Sequence, residues 1–343
     1  MRSATLATAY RLSTVALGLA LLVVLLGAWT RINNAGLACP DWPTCYGQLV
    51  MPLQQSSADA HAHLAGADIE KAWLEMVHRY AAGTLGLLVL ALGLLALRMR
   101  RLHQWPGKLS YVLCLLIVLQ GAFGMWTVTL KLVPWVVTVH LLGGLLTLSL
   151  LYLLRIRLRA LHPTISGRPM QFERRLLPLL CVLALQLVLG GWTSTNYAGA
   201  SCTHWLVCHA NGAVGNYDFA GGLNPVMPHG PDYEGGLLAP DARAAIQITH
   251  RFGALAVVVL LLISTIRLRH ERLYRQGLFI SWALCLTQIA LGMLTVVNFV
   301  PVSLAFLHHL TAVLLWLSVL RFSVAPGTVQ ADREVCHVNK VIA

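Results

Sequence analysis

Four histidines in long apolar segments are the residues of this 343-residue chain best suited to chemistry. His78, His140, His250 and His308 each lie near one end of such a segment. An ionisable residue inside a membrane segment is costly and is a functional candidate by default. Two imidazoles that face each other across a helix bundle can provide both axial ligands of a haem iron. We therefore predict two bis-histidine haem sites, with structural histidines or another metal site as the alternatives.

The elements that carry these histidines are predicted membrane spans. The chain is 57% hydrophobic and 11% charged, whereas soluble domains carry about 25% charged residues. Eight segments provide the roughly 20 apolar residues that a span needs. They are 12–31, 76–97, 109–129, 135–154, 176–196, 246–266, 278–298 and 303–323. We predict an all-α polytopic membrane protein, which excludes a cytosolic enzyme, a disordered chain and a nucleic-acid-binding domain.

The net charge of +12 follows the membrane topology. The two termini and every second loop together hold 19 of the 25 Lys and Arg residues and 4 of the 13 acidic ones. Cytoplasmic loops are enriched in Lys and Arg. Both termini are therefore predicted to be cytoplasmic, with membrane lipid as the surroundings and no nucleic acid as a partner.

The two halves of the chain repeat each other. Gly27-Ala-Trp-Thr recurs as Gly190-Gly-Trp-Thr at a shift of 163 residues, and His140 recurs as His308 at a shift of 168. His78-Arg likewise recurs as His250-Arg. Each half has four spans, so both halves have the same orientation. We predict two tandem pseudo-symmetric four-helix bundles, residues 1–160 and residues 161–343, with one haem site in each.

His309 competes with its neighbour His308 as a ligand, because only one of two adjacent side chains can point into the bundle. Leu141 occupies the equivalent place in the first half. The repeat therefore favours His308.

Two pairs of cysteines occupy equivalent places in the predicted outer loops. They are Cys39 with Cys45, and Cys202 with Cys208. The outer side of the membrane is oxidising, and disulfides persist there. We predict two disulfides and leave open whether they are structural or redox-active.

The halves differ one helical turn before a histidine. The first half has Glu75 before His78 and Arg79, where the second has Gln247 before His250 and Arg251. A carboxylate at one site only could supply a proton there. A solvated carboxylate at a helix start is the alternative for Glu75. The arginines are candidates to bind haem propionates, or they extend to the membrane interface.

These features together resemble the haem A synthase family over nearly the whole chain. The resemblance rests on the eight spans, the duplication, the two Cys-x5-Cys pairs, Glu-x-x-His-Arg at residues 75–79, and three further histidines. Those histidines are His140, His250 and His308.

The resemblance implies oxidation of the C8 methyl group of haem O to the formyl group of haem A by successive hydroxylation. It implies that His78 and His140 hold the substrate haem and that Glu75 is a functional acid. His250 and His308 would hold a b-type haem that relays electrons. It also implies the bacterial inner (plasma) membrane or its mitochondrial equivalent, with the cysteine-bearing loops on the outer side.

Two other functions stay in play. A dihaem b-type cytochrome would move electrons, for example from a quinol, without modifying haem. A haem carrier would show no dependence on Glu75. The electron donor, a direct contact with the farnesyltransferase that makes haem O, and homo-oligomer formation are left open by the sequence.

Overall fold

The computed structural model describes residues 2–50, 68–100, 106–161, 170–202, 217–226 and 230–326. Within these ranges, eight helices are long and apolar enough to cross a membrane, which confirms the predicted multi-pass membrane protein. They are α1 (Arg2–Ile32), α2 (Ile69–Arg98), α3 (Gly107–Thr129), α4 (Pro134–Ala160), α5 (Leu177–Thr195), α7 (Pro240–Leu268), α8 (Arg272–Val297) and α9 (Val302–Ser323). A short helix, α6 (Phe219–Gly222), precedes α7.

Local sequence signals set the ends of these helices. The side chain of Asp68 accepts a hydrogen bond from the backbone N–H of Lys71, which caps α2. Proline stands at the first position of α4 and of α7, where its missing N–H costs nothing. The last turns of α2, α4, α7 and α9 carry arginine, and a positive charge there interacts favourably with the negative end of the helix dipole. All four of these helices end on the side that the sequence predicts to be cytoplasmic. The last turn of α1 carries Arg31 at the opposite side.

The spanning helices pack in two rings. In the first half, α1 contacts α2 and α4, and α3 also contacts both α2 and α4. In the second half, α5 contacts α7 and α9, and α8 contacts the same two helices. Between the halves, α4 packs on α5 and α9 packs on α1. This packing is compatible with the predicted pair of four-helix bundles.

The turns before the last helix of each ring match in detail. Lys131 and Leu132, which precede α4, have positive φ, as do Phe299 and Val300 before α9. Leu132 N–H donates to the carbonyl of Thr127 at 2.8 Å, and Val300 N–H donates to the carbonyl of Thr295 at 2.7 Å. All three pairs of positions are related by the 168-residue shift.

A two-stranded antiparallel ribbon was not predicted. It pairs β1 (Met170–Phe172) with β2 (Val324–Pro326), just outside α5 and α9. The two strands are only three residues long each, which is too short for an alternating pattern to show in the sequence.

Candidate functional site

Each of the four histidines packs one ring edge against a glycine of the preceding long helix. A Cβ atom built on Gly27 would lie 2.9 Å from Cε1 of His78, and one on Gly124 would lie 3.3 Å from Cε1 of His140. The corresponding distances are 3.4 Å from Gly190 to His250 and 3.0 Å from Gly292 to His308. A larger residue at these places would press on the imidazole.

The four glycines are themselves repeat-equivalent. Gly27 and Gly190 are related by the shift of 163 residues, and Gly124 and Gly292 by the shift of 168. The structure thus places each of the four predicted histidines against a repeat-equivalent glycine. A Cβ atom on Gly292 would contact His308, the histidine that the repeat favours over His309. Nε2 of His309 is buried and has no hydrogen-bond partner among the described residues.

The two halves differ in the hydrogen bonding of the histidine Nδ1 atoms. Nδ1 of His78 and Nδ1 of His140 are buried and make no hydrogen bond within the described part of the chain. In the second half, Nδ1 of His250 lies 3.1 Å from the amide nitrogen of Gln186. Nδ1 of His308 lies 3.1 Å from the carbonyl oxygen of Gln288.

This arrangement fits a haem iron held by two histidines. A histidine that binds a metal through one ring nitrogen commonly donates its other N–H to a carbonyl or a similar acceptor. His308 has such an acceptor for Nδ1 in the backbone carbonyl of Gln288. Its Nε2 lies 3.0 Å from the side-chain amide nitrogen of the same residue, which would have to move aside for an iron to bind there. The glycines let the neighbouring helix approach one edge of each ring closely. Among the described residues, no group of three or more His, Cys, Asp or Glu side chains could hold a metal ion directly.

Glu75, on the same helix α2 as His78, forms a hydrogen bond with the first outer loop. Its side chain is buried, with 4% of the residue exposed. One carboxylate oxygen accepts a hydrogen bond from the backbone N–H of Cys39 at 2.9 Å, and the other forms an ion pair with Arg79. Glu75 is therefore not the solvated carboxylate that the sequence left as an alternative, because both of its oxygens are bound by the protein.

Arg79 extends the same connection. Its Nη1 donates to the carbonyl oxygens of Asp41 at 2.9 Å, Pro43 at 3.3 Å and Thr44 at 2.7 Å. The guanidinium group thus gathers three carbonyls of the outer loop while it pairs with Glu75. These contacts define the position of the guanidinium group in the described structure.

The second half has a neutral version of this connection. Gln247 donates from its amide nitrogen to the carbonyl of Gly199 at 3.2 Å. Nη2 of Arg251 donates to the carbonyl of Cys202 at 3.1 Å. Cys202 is the repeat equivalent of Cys39. Both histidine helices therefore hold the adjacent outer loop through the same two positions, but only the first uses a carboxylate.

The loop held by Glu75 is closed by a disulfide. Cys39 and Cys45 are bonded, and neither is exposed. Cys202 is also disulfide-bonded, whereas Cys208, its predicted partner, lies outside the described residues. The first predicted disulfide is confirmed.

Asp41 organises the interior of this loop. Its carboxylate accepts hydrogen bonds from the backbone N–H groups of Tyr46 at 2.6 Å and Gly47 at 3.0 Å, and from the hydroxyl of Thr44. Partial burial raises the pKa of Asp41, but these hydrogen bonds and the charge of Arg79 outweigh it, so the pKa is lowered from 3.8. Sequence reasoning missed this residue, because an aspartate in a loop has no distinctive pattern.

Sequence reasoning also missed Gln186. The residue lies in an apolar segment, and its repeat equivalent is Val23. That exchange of an amide for an apolar side chain is the one sequence signal that could have identified it.

Fold and site together define a multi-pass membrane protein whose spanning helices carry four histidines at repeat-equivalent positions, each against a glycine of another helix. The family model described as cytochrome oxidase assembly protein matches residues 10–320. The chain is 43% identical to the haem A synthase of Shewanella oneidensis over 307 residues, which cover 88% of this chain and 91% of that protein. It is 29% identical to the haem A synthase of a Chelativorans species over 321 residues, which cover 85% and 83% of the two chains. The chain belongs to the haem A synthase family.

Proposed function

We propose that this protein oxidises the C8 methyl group of haem O to the formyl group of haem A. The observation that carries the proposal is that all four histidines lie against a glycine, while their Nδ1 atoms differ in hydrogen bonding between the two halves. The shared glycine contacts suit the binding of a haem in each half. The different polar residues, Glu75 in the first half and Gln247 in the second, suit a different role for each haem.

We assign the substrate haem to His78 and His140 in the first half. Glu75 precedes His78 by three residues, and residues three apart share a helix face. A buried carboxylate near this site is the group best placed to take up or release a proton during oxidation of the methyl group. Glu75 also fixes the disulfide-closed loop through the N–H of Cys39, so one side chain serves both the loop and the site.

We assign a haem b to His250 and His308 in the second half. A haem bound there would supply one-electron chemistry and relay electrons towards the first half. The residues of this half orient the two imidazoles, with Gln288 accepting from Nδ1 of His308. Trp29 of α1 and Phe306 of α9 lie between the halves, with ring centroids 5.1 Å apart in an edge-to-face contact.

The same assignment gives a role to Arg79 and Arg251. We propose that Arg79 and Arg251 bring positive charge to the propionate side of each haem, since guanidinium groups pair well with carboxylates. Both are already oriented by carbonyls of the outer loops.

The topology is part of the proposal. We place the basic side of the protein, with both termini, in the cytoplasm or mitochondrial matrix, and the cysteine-bearing loops on the opposite side of the inner membrane. A reporter enzyme that is active only outside the cytoplasm, fused after residue 343, should be inactive. Activity of that fusion would contradict this orientation.

The decisive experiment identifies the haems that the protein carries. The full chain is purified in detergent from cells that make haem O, and its haems are extracted, separated by chromatography and weighed by mass spectrometry. We expect haem B together with haem O, haem A or a hydroxylated intermediate. Haem B alone, despite a supply of haem O, would instead indicate an electron-transfer cytochrome.

A further inference from the structure

We propose that Gln120 is a specificity residue of the first half, whose amide binds the hydroxyl group that distinguishes haem O from haem B. In haem O, a hydroxyethylfarnesyl group replaces one vinyl group of haem B, so the carbon attached to the macrocycle carries a hydroxyl. The inference rests on the proposed binding of haem O by His78 and His140. It does not rest on the proposed oxidation of the C8 methyl group.

Gln120 lies on the face of α3 that packs inside the first half. Leu113, seven residues earlier and on the same face, is fully buried, whereas the adjacent Leu119 is 46% exposed. Gly124, one turn after Gln120, is the glycine that lies against His140. The side chain of Gln120 therefore projects from the same face of α3 as the histidine contact, one turn further from the outer end of the helix.

The amide of Gln120 occupies a notch in the neighbouring helix α4. A Cβ atom added to Gly143 would overlap the amide nitrogen of Gln120. Gly143 follows His140 by three residues, so the two residues share a face of α4. One turn of an α-helix rises about 5.4 Å. The amide therefore lies about one turn deeper in the membrane than the histidine.

The Gln120 amide has hydrogen-bonding capacity left for a ligand. In the described part of the chain it forms no hydrogen bond, whereas the amides of Gln186 and Gln288 in the second half both lie within 3.1 Å of a histidine nitrogen. A carboxamide offers two N–H donors and a carbonyl acceptor. A polar group within a membrane span is costly when it lacks a partner, so a hydroxyl-bearing ligand would be stabilised beside it.

The second half directs the equivalent amide elsewhere. Gln288 and Thr311 are the repeat equivalents of Gln120 and Gly143. Thr311 is buried, with 7% exposed, and its side chain stands where Gly143 leaves a notch. The amide nitrogen of Gln288 instead lies 3.0 Å from Nε2 of His308. The notch and the unbonded amide therefore occur together, in the half that we assign to haem O.

The proposed role of Arg79 orients haem O with respect to this amide. Carbonyls of the outer loop hold the Arg79 guanidinium group, so propionates that pair with it place the opposite edge of the macrocycle deeper in the membrane. The hydroxyethylfarnesyl group is attached to that opposite edge. The amide of Gln120 is therefore at the depth where it can exchange hydrogen bonds with the hydroxyl. Haem B has an apolar vinyl group there and would leave the amide without a partner.

The preference of the purified full chain for haem O over haem B tests the proposal. The protein in detergent is equilibrated with mixtures of the two haems at increasing proportions of haem O, re-isolated, and its bound haems are extracted and quantified. Any oxidised product is counted with haem O, so the measurement reports binding and not turnover. The proportion of haem O that fills half of the first-half sites measures the preference.

Q120M keeps the length of the side chain and removes its hydrogen-bonding groups. One neutral hydrogen bond is worth about tenfold in affinity, so we expect Q120M to need about tenfold more haem O, with total haem per chain unchanged. G143A and G143T keep the amide but displace it, and should weaken the preference in the same direction. L119M and G121A are the matched controls, because Leu119 is exposed and a Cβ atom on Gly121 would meet nothing within 4 Å.

The proposal is overturned if Q120M keeps the wild-type preference. It is also overturned if Q120M loses haem O and haem B to the same extent, because a purely structural role of Gln120 would affect both haems. Should Q120M not accumulate in the membrane, G143A decides by the same two criteria.

The proposed function fails separately. Wild-type protein that prefers haem O but never forms haem A would overturn that function and leave the role of Gln120 intact. Wild-type protein that forms haem A without preferring haem O to haem B would overturn the role of Gln120 alone. Wild-type protein that never binds haem O would overturn both.

Discussion

The carboxylate of Glu75 and the backbone N–H of Cys39 are joined by a hydrogen bond of 2.9 Å. This bond links the helix that carries His78 to the loop closed by the Cys39–Cys45 disulfide. Because Arg79 binds the same carboxylate and three carbonyls of that loop, the loop and the histidine helix form one connected unit.

Replacing Glu75 with glutamine should separate its two tasks. The amide oxygen of the E75Q variant can still accept from Cys39 N–H, but the group can no longer exchange a proton. General acid–base groups commonly contribute about 100-fold or more to rate, so we expect a loss of that order in haem A formation with haem b retained. Extracted haems provide the measurement. Q247E in the second half is the matched control, and full haem A from E75Q would contradict a proton-handling role.

Alanine at the contact glycines should affect one half at a time. In G27A, the new methyl group would stand 2.9 Å from His78, and we expect loss of the substrate haem with haem b retained. G292A should weaken haem b binding instead, because its methyl group would stand 3.0 Å from Cε1 of His308. G18A, in the same helix as Gly27 but with nothing within 4 Å, should bind both haems normally. Equal losses in G27A and G18A would show that the effect is not specific to the histidine.

Removing the first disulfide should lower stability. A bridge with a sequence separation of 6 closes a short loop, for which chain entropy gives about 2 kcal/mol. We expect C39S/C45S to unfold at a lower temperature and to lose haem A formation, because the loop is attached to Glu75. C181S is the control, since Cys181 is an exposed thiol. An unchanged unfolding temperature in the double variant would argue against a structural disulfide.

Glu173 should make stability depend on pH on the basic side of the protein. Hydrogen bonds from Arg175 lower the pKa of Glu173 from 4.5 to about 2. As the pH falls, the unfolded chain takes up this proton first. The contribution of Glu173 is therefore complete above about pH 4.5 and is lost as the pH falls towards 2. The difference in unfolding temperature between wild type and E173Q should be larger at pH 6 than at pH 3, and a constant difference would contradict this prediction.

The sequence predicted the spans well, since length and hydropathy alone identify membrane helices. The sequence also revealed the internal repeat, because identities such as Gly27 with Gly190 recur at a constant shift along the chain. The partner of each histidine could not be predicted this way. The contact between Gln186 and His250 joins residues 64 apart, and the bond between Glu75 and Cys39 joins residues 36 apart. Such contacts depend on how helices and loops pack, which no local pattern encodes.

The contacts between the halves are one contact made twice. The fourth spanning helix of the first half, α4, packs on the first of the second half, α5, and α9 packs in turn on α1. A symmetric homodimer has this self-complementary kind of interface. An ancestral chain of four spans could therefore have assembled as a pair of identical subunits. Fusion of two copies would then have allowed the halves to diverge in sequence, as they have at Glu75 and Gln247.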